Sequence, residues 1–248
     1  MMPIDLNCDL GEGIGSDEML MSLITSANIA CGGHAGDEQS MSQAVVLAQK
    51  HGVAVGAHPG FMDREFFGRR ELPITPDEVF SLVCTQVEHL RKIASSAGAS
   101  ISHVKPHGAL YNQAARDPSL ADAIARAVKS MDGQLILFGP AGSQLIAAGM
   151  QRGLKVAQEV FADRNYGGDG QLILRNHPLA LIKDVTAAVH RVVRMLKCGD
   201  VIALNGTCLP IVADTLCVHG DGADPLALLQ ALRYTLNQQG INISAVGT

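Results

Sequence analysis

The chain has no tryptophan, and only three tyrosines and six phenylalanines among 248 residues. Surfaces that stack unpaired bases need aromatic side chains, so a single-strand binding role is disfavoured at once. There is no run of lysines and arginines, and the formal net charge is -5. Nucleic acid and acidic lipid are therefore poor candidates for the main partner. No stretch of about 18 apolar residues suggests a membrane span. The start, MMPIDLNCDLGEG, has neither the basic nor the apolar segment of a secretory leader, so a cytoplasmic protein is expected. The six cysteines form no CxxC pair, and free, buried thiols in a reducing compartment are the expectation. Also missing are GxxxxGK[ST], a GxGxxG after a strand, and HExxH, the compact signatures of phosphate loops, dinucleotide sites and zinc proteases.

What is present is apolar and regular. Hydrophobic residues make up 47% of the chain, enough for a large core. Short Val/Ile/Leu-rich runs alternate with longer helical patterns. Strands are expected at 4–9, 27–31, 53–58, 102–106, 134–139, 155–161, 200–206 and 215–220. Helices are expected at 16–24, 38–51, 76–97, 119–130, 142–152, 179–197 and 224–239. Leu120, Ile124, Val128 and Met131 recur at helical spacing with Asp122, Arg126 and Lys129 between them, the pattern of a half-buried helix. Thr75-Pro76-Asp77-Glu78 is a helix start: capping threonine, proline at the first position, acids in the first turn. Such alternation implies parallel strands with crossover helices. One α/β domain over 1–248 is expected, a TIM-like (β/α) barrel of seven or eight parallel strands, with an excursion near 162–178; an open doubly wound sheet is the runner-up.

Polar residues cluster where strands end: Asp9 and Glu12, His34 and Asp37, His58, Lys105 and His107, Glu159 with Asp163 and Arg164, His219 and Asp221. In a parallel α/β fold these ends converge on one rim, where active sites are built. Alternation sharpens the pattern. Asp5, Asn7 and Asp9 share one face of their strand and His103, Lys105 and His107 one face of theirs. Pro106 keeps Lys105 out of the helical region. A pocket wall carrying carboxylate, amide, ammonium and imidazole is costly to bury without a use. Asp5 reads equally well as a cap and His103 as a core histidine.

Three chemistries are compatible. Asp9, His34, His58, His107 and His219 could ligate a metal. Cys8 or Cys31 could be a nucleophile, though neither has a recognisable base beside it in sequence. General acid–base hydrolysis fits the mixture best, with Asp9 or Glu159 activating water and Lys105, Arg69, Arg70 or Arg164 clamping an anion. GPAGS (139–143) opens a helix and could hold an anion, but reads more simply as a turn.

The stretches DLNCDLGE (5–12), NIACGGHAGD (28–37), GAHPGFMDREFFGRR (56–70), HVKPHGALYN (103–112), EVFADRNY (159–166) and CVHGD (217–221) together resemble the LamB/YcsF family, in order and over nearly the whole chain. The resemblance implies a barrel of the glycoside hydrolase/deacetylase type. It implies ATP-dependent conversion of 5-oxo-L-proline to L-glutamate, with ATP hydrolysed to ADP and phosphate and two further subunits, B and C, as partners. ATP could be bound by those partners, and a divalent metal is compatible but not required. The family's motif residues carry over to Asn7, Asp9, Glu12, Asn28, His34, Asp37, His58, Arg69, Lys105, His107, Tyr111, Glu159, Asp163, Arg164, His219 and Asp221. Pro178-Leu179-Ala180 stands where the family tends to show Pro-Gly-Ala, a departure confined to the excursion. On this reading Asp9 or Glu159 is the base, His58 or His107 protonates the ring nitrogen, Lys105 stabilises developing charge, and Arg69 or Arg164 grips the substrate carboxylate. The competing readings are a metal-dependent amidohydrolase or deacetylase acting alone, and a lactam or sugar binding module.

Overall fold

A computed structural model describes residues 3–247 except 221 and 223. Seven parallel strands close into a barrel: β1 (Asp5–Leu10), β2 (Ser26–Ala30), β3 (Ala54–His58), β4 (Ile101–Val104), β5 (Ile136–Pro140), β6 (Lys155–Phe161) and β9 (Thr215–Cys217). β9 pairs with both β6 and β1, which shuts the ring. The helices of the crossovers are α1 (Asp17–Met21), α2 (Glu38–His51), α3 (Pro76–Ser96), α4 (Gly108–Arg116), α5 (Pro118–Met131), α6 (Gln144–Gln151) and α7 (Val185–Cys198), and α8 (Pro225–Gln238) follows β9. The barrel reading is thus borne out, with seven strands.

Local chemistry sets the helix starts. Thr75 accepts from the Glu78 amide while the Glu78 carboxylate accepts from Thr75, a reciprocal capping box at the head of α3. Ser143, in the GPAGS turn, caps α6 through the Ile146 amide. Its structural role is therefore satisfied without a ligand. Among the described residues no helix is long and apolar enough to cross a membrane.

Four expectations need correction. The apolar run 200–206 is not a barrel strand: β7 (Asp200–Ile202) pairs antiparallel with β8 (Cys208–Pro210) in a surface hairpin, leaving Ile202 and Leu204 exposed. The helix expected from 179 begins at Val185, because the excursion runs on, closed by bridges Arg164–Leu181 and Tyr166–Leu172. Helix α4 was not expected, since Pro106 and Gly108 read as a turn; it buries Ala109, Leu110, Tyr111 and Ala114. Finally, all six cysteines are free, but only Cys8, Cys31 and Cys217 are buried.

The barrel interior is layered. Ile136, Phe138 and Ala157 form an apolar floor, with Val246 packed against it. Above it the inward side chains turn polar. Alternation sends Leu6 and Cys8 into the apolar core outside the barrel and Asn7 and Asp9 into its lumen.

Candidate active site

His103 caps the apolar floor. Its ring stacks on Phe138 with centroids 4.3 Å apart. Ser102 Oγ lies 2.9 Å from Nδ1 and Asn28 Oδ1 2.9 Å from Nε2. Burial pushes its pKa down to about 3, so it is a neutral core histidine. It fits because Gly56 stands beside it: a Cβ there would meet Nε2 at 2.0 Å. Asp5 accepts from the hydroxyls of Thr25, Ser26 and Thr215 and ties three strands together. Both residues are structural.

The next layer is a hydrogen-bonded lattice centred on Lys105. Its Nζ contacts Glu159 Oε1 at 2.8 Å, Asp9 Oδ1 at 3.0 Å, Asn7 Oδ1 at 3.1 Å and Cys217 Sγ at 3.2 Å. Asn28 donates to Asn7 and Asp9, Asn7 donates to Glu159 and Thr215, and Tyr111 donates its hydroxyl to the second Glu159 oxygen. Burial disfavours the Lys105 ammonium, but Asp9 foremost, then Cys217 and Glu159, hold its pKa well above the usual value. Burial would likewise raise Asp9, yet the His58 and Lys105 side chains beside it hold it well below the carboxylate range. Burial and the Glu159 charge push the Tyr111 phenol far up, so it stays a donor. The lattice is a buried triad in which Lys105 Nζ bridges the Asp9 and Glu159 side chains.

Above the lattice opens a cavity of about 840 Å³, measured out to its mouth. Asp9, Lys105, His58, His107, Tyr111, Glu12, Arg69, Arg164 and His219 line it. His219 Nδ1 faces both Asp163 oxygens at 2.9 and 3.0 Å. Since a carboxylate accepts, Nδ1 carries the proton and Nε2 is left for the cavity. Burial would raise Asp163, but the His219 and Arg164 charges lower it. Arg164 donates to the Ile173 carbonyl, while its buried Nε has no hydrogen-bond partner.

On the opposite side sit three imidazoles. His34 and His107 stack with centroids 3.6 Å apart and planes 5° from parallel, and His58 meets both edge-on. Burial first, then the neighbouring rings, pushes His34 down to about 2 and His107 well below its usual value. The loop between β3 and α3 closes over them. Phe67 and Gly68 both adopt positive φ (55° and 63°), and the Phe67 carbonyl faces His107 Nε2 at 2.9 Å. Glu12, His34, His58 and His107 offer a group of atoms that could hold a metal ion, as do Asp9, Cys217 and His219. Two members of the second group, Asp9 and Cys217, already contact Lys105 Nζ, whose charge would repel another cation.

The structure thus brings together fourteen of the sixteen expected positions, some lining the cavity and some supporting it. Asp37 instead caps α2 from the exposed rim, accepting from the Ser40 amide. Asp221 lies outside the described residues. Burial pushes the Cys31 thiol up to about 12 and lifts Cys8 well above its usual value, so neither suits a thiolate nucleophile. Sequence reading missed Thr215, Cys217, Phe161 and Arg175. The first three were accessible through alternation: Thr215, Cys217 and His219 share a face, as do Glu159, Phe161 and Asp163.

The closed parallel barrel, with acids, bases and cations gathered where its strands end, defines an α/β barrel of enzyme type. Residues 4–248 match the LamB/YcsF family, and the chain belongs to it. It is 51% identical to the A subunit of 5-oxoprolinase from Methylococcus capsulatus over 249 residues, covering 98% of this chain and 96% of that one. It is 49% identical to the corresponding 5-oxoprolinase chain of Staphylococcus carnosus, covering 99% and 100%. The crystal structure of a lactam utilization protein from Thermus thermophilus superposes with a TM-score of 0.91 at 42% identity, covering 98% and 100%.

Proposed function

We propose that this chain is the ring-opening component of an ATP-dependent 5-oxoprolinase, hydrolysing 5-oxo-L-proline to L-glutamate together with its B and C partner subunits. The observation that carries the reading is the cavity itself: an ionised Asp9–Lys105 pair on its floor, with the His219–Asp163 pair and the buried Arg164 also at the cavity. The names borne by the two relatives at about half identity support the substrate.

A five-membered lactam is small and anionic, and its resonance-stabilised amide is a poor electrophile. Transfer of the ATP γ-phosphoryl group to the lactam oxygen activates the ring carbon. This chain has no phosphate-loop signature, so the reading assigns that step to the partners. Water then adds to the ring carbon while Asp9 takes its proton. Asp9 is a weak base because its pKa is held low, which suffices only for an activated electrophile. Glu159 is less suited to the task, being occupied by Lys105, Asn7 and Tyr111. Lys105 faces the oxygen on which charge develops, in a dry preorganised setting where such a contact is strongest. His219, entering the step as an imidazolium with its Nδ1–H on Asp163, gives its Nε2 proton to the ring nitrogen so that the carbon–nitrogen bond can break. An acyl phosphate remains, which water converts to glutamate and phosphate. Arg164, which lines the cavity, grips the substrate carboxylate.

His219 replaces His58 and His107 as the proton donor in this scheme. Those two rings are held against each other and against backbone carbonyls. The test is glutamate release by the assembled enzyme carrying Asp9→Asn. A loss of about 10²–10⁴-fold, the usual worth of a positioned base, is expected. Activity within tenfold of wild type would overturn the assignment.

A further inference from the structure

The three-imidazole wall is left without a task by that scheme, and its hydrogen bonding is incomplete. His58 Nδ1 lies 2.7 Å from the Lys105 carbonyl, and His107 Nε2 lies 2.9 Å from the Phe67 carbonyl. Carbonyls only accept, so each of these nitrogens carries a proton. The other two nitrogens, His58 Nε2 and His107 Nδ1, then face each other as bare lone pairs, 2.9 Å apart. Two lone pairs at that distance repel unless something positive lies between or beside them. Carboxylates stand close by on the same side: Glu12 Oε1 is 3.6 Å from His107 Nδ1, and Asp9 Oδ2 is 3.4 Å from His58 Nε2.

We infer that His58 Nε2, His107 Nδ1 and Glu12 bind one divalent transition-metal ion, zinc being the ion that this donor set suits best. Three observations converge. The spacings of 2.9 and 3.6 Å bracket the separation of about 3.3 Å between ligand atoms of a tetrahedral zinc site with bonds of about 2.0–2.1 Å. Both imidazoles donate their remote N–H to a carbonyl, the outer-shell arrangement that fixes tautomer and ring angle in metal sites. Two imidazoles and one glutamate with an open fourth position form a set used by catalytic zinc, and all three line the cavity.

His34 contributes differently. Its ring is parallel to that of His107, so an ion in the plane of one ring lies well out of the plane of the other. Its Nε2 is 3.0 Å from Glu12 Oε1, and it acts as a positioning residue for that carboxylate. The inference does not depend on the substrate, because the ion is read from binding and not from turnover.

The experiment uses the untagged full chain, stripped with chelator and then titrated with Co²⁺. Visible ligand-field bands report tetrahedral or five-coordinate cobalt, and the stoichiometry is checked by elemental analysis after Zn²⁺ displacement. One equivalent is expected, with zinc raising the melting temperature. His58→Ala, His107→Ala and Glu12→Gln should each weaken binding by more than the roughly 10–100-fold of an outer-shell loss, and His34→Ala by about that much. His219→Asn should leave it unchanged. Glu12→Gln keeps the side-chain shape, and circular dichroism confirms that the variants fold. No bands and less than a tenth of an equivalent bound by the wild-type chain would overturn the inference. So would cobalt binding that survives both histidine replacements.

Discussion

Replacing Lys105 with methionine separates two consequences of one buried charge. Lys105 is 3% exposed, and its ammonium lies between Asp9 and Glu159. Methionine fills much of the same volume but leaves both carboxylates without their cation. Removing one partner of a buried ion pair typically costs about 3–5 kcal/mol, because the remaining charge is uncompensated. Lys105→Met should therefore lower urea-unfolding stability by that amount. It should also cut glutamate release by about 10²–10³-fold, as loss of a preorganised donor does. A second variant divides the effects. In Lys105→Met/Glu159→Gln one stranded carboxylate is neutral, so part of the lost stability should return. Turnover should not, since the contact to the developing charge is still missing. The coupling of the two substitutions is read from the double-mutant cycle. A cost below about 1 kcal/mol for Lys105→Met would show that the cation does not hold the carboxylates in place. Turnover of its complex within tenfold of wild type would show that the ammonium does not act on the developing charge.

Other expectations follow from single features. Gly56→Ala sets a Cβ 2.0 Å from the His103 ring, and should destabilise by at least about 3 kcal/mol, the upper end for overpacking; an unfolding free energy within about 1 kcal/mol of wild type would contradict the packing account. His34, His103 and His107 have folded pKa values depressed below the usual 6.5. The unfolded chain binds protons near pH 6.5 while the folded chain does not. Stability of the metal-free chain should then be complete above pH 6.5 and fall as pH drops toward 4.5, by up to about 1.4 kcal/mol per pH unit for each histidine. A flat profile of unfolding free energy over that window would show that these rings ionise in the folded state. His219→Asn in the assembled enzyme should reduce kcat by about 10²-fold or more, because it removes a proton donor from the cavity surface; an unchanged kcat would return the role of acid to another group.

Much of this architecture was legible in the sequence because parallel barrels write their geometry in two simple periods. Alternation at Asn7 and Asp9, and at His103 and Lys105, marked the lumen face, and the strand ends marked the rim. Less was legible where the decisive partner is remote. Lys105 meets Cys217 across 112 positions and Asn7 meets Thr215 across 208; no local pattern encodes such pairs. The run at 200–206 has the composition of a strand, but its pairing with β8 turns it outward as a hairpin. Helix α4 was hidden because Gly108 stands at its first position, where a glycine reads as a break. Asp37 carried a local signal that the family pattern obscured: aspartate followed three positions on by Ser40 is a helix cap. The opposed lone pairs of His58 and His107 depend on two backbone carbonyls and could not have been read from spacing at all.

The proposed division of labour has this chain open the lactam ring while its partners supply the activated substrate. Release of glutamate and phosphate from 5-oxoproline and ATP decides it, measured for the chain alone, for the partner subunits alone, and for all three together. Glutamate should appear only in the complete mixture. Glutamate from the partners without this chain, or from this chain by itself, would show that the ring is opened elsewhere or without them.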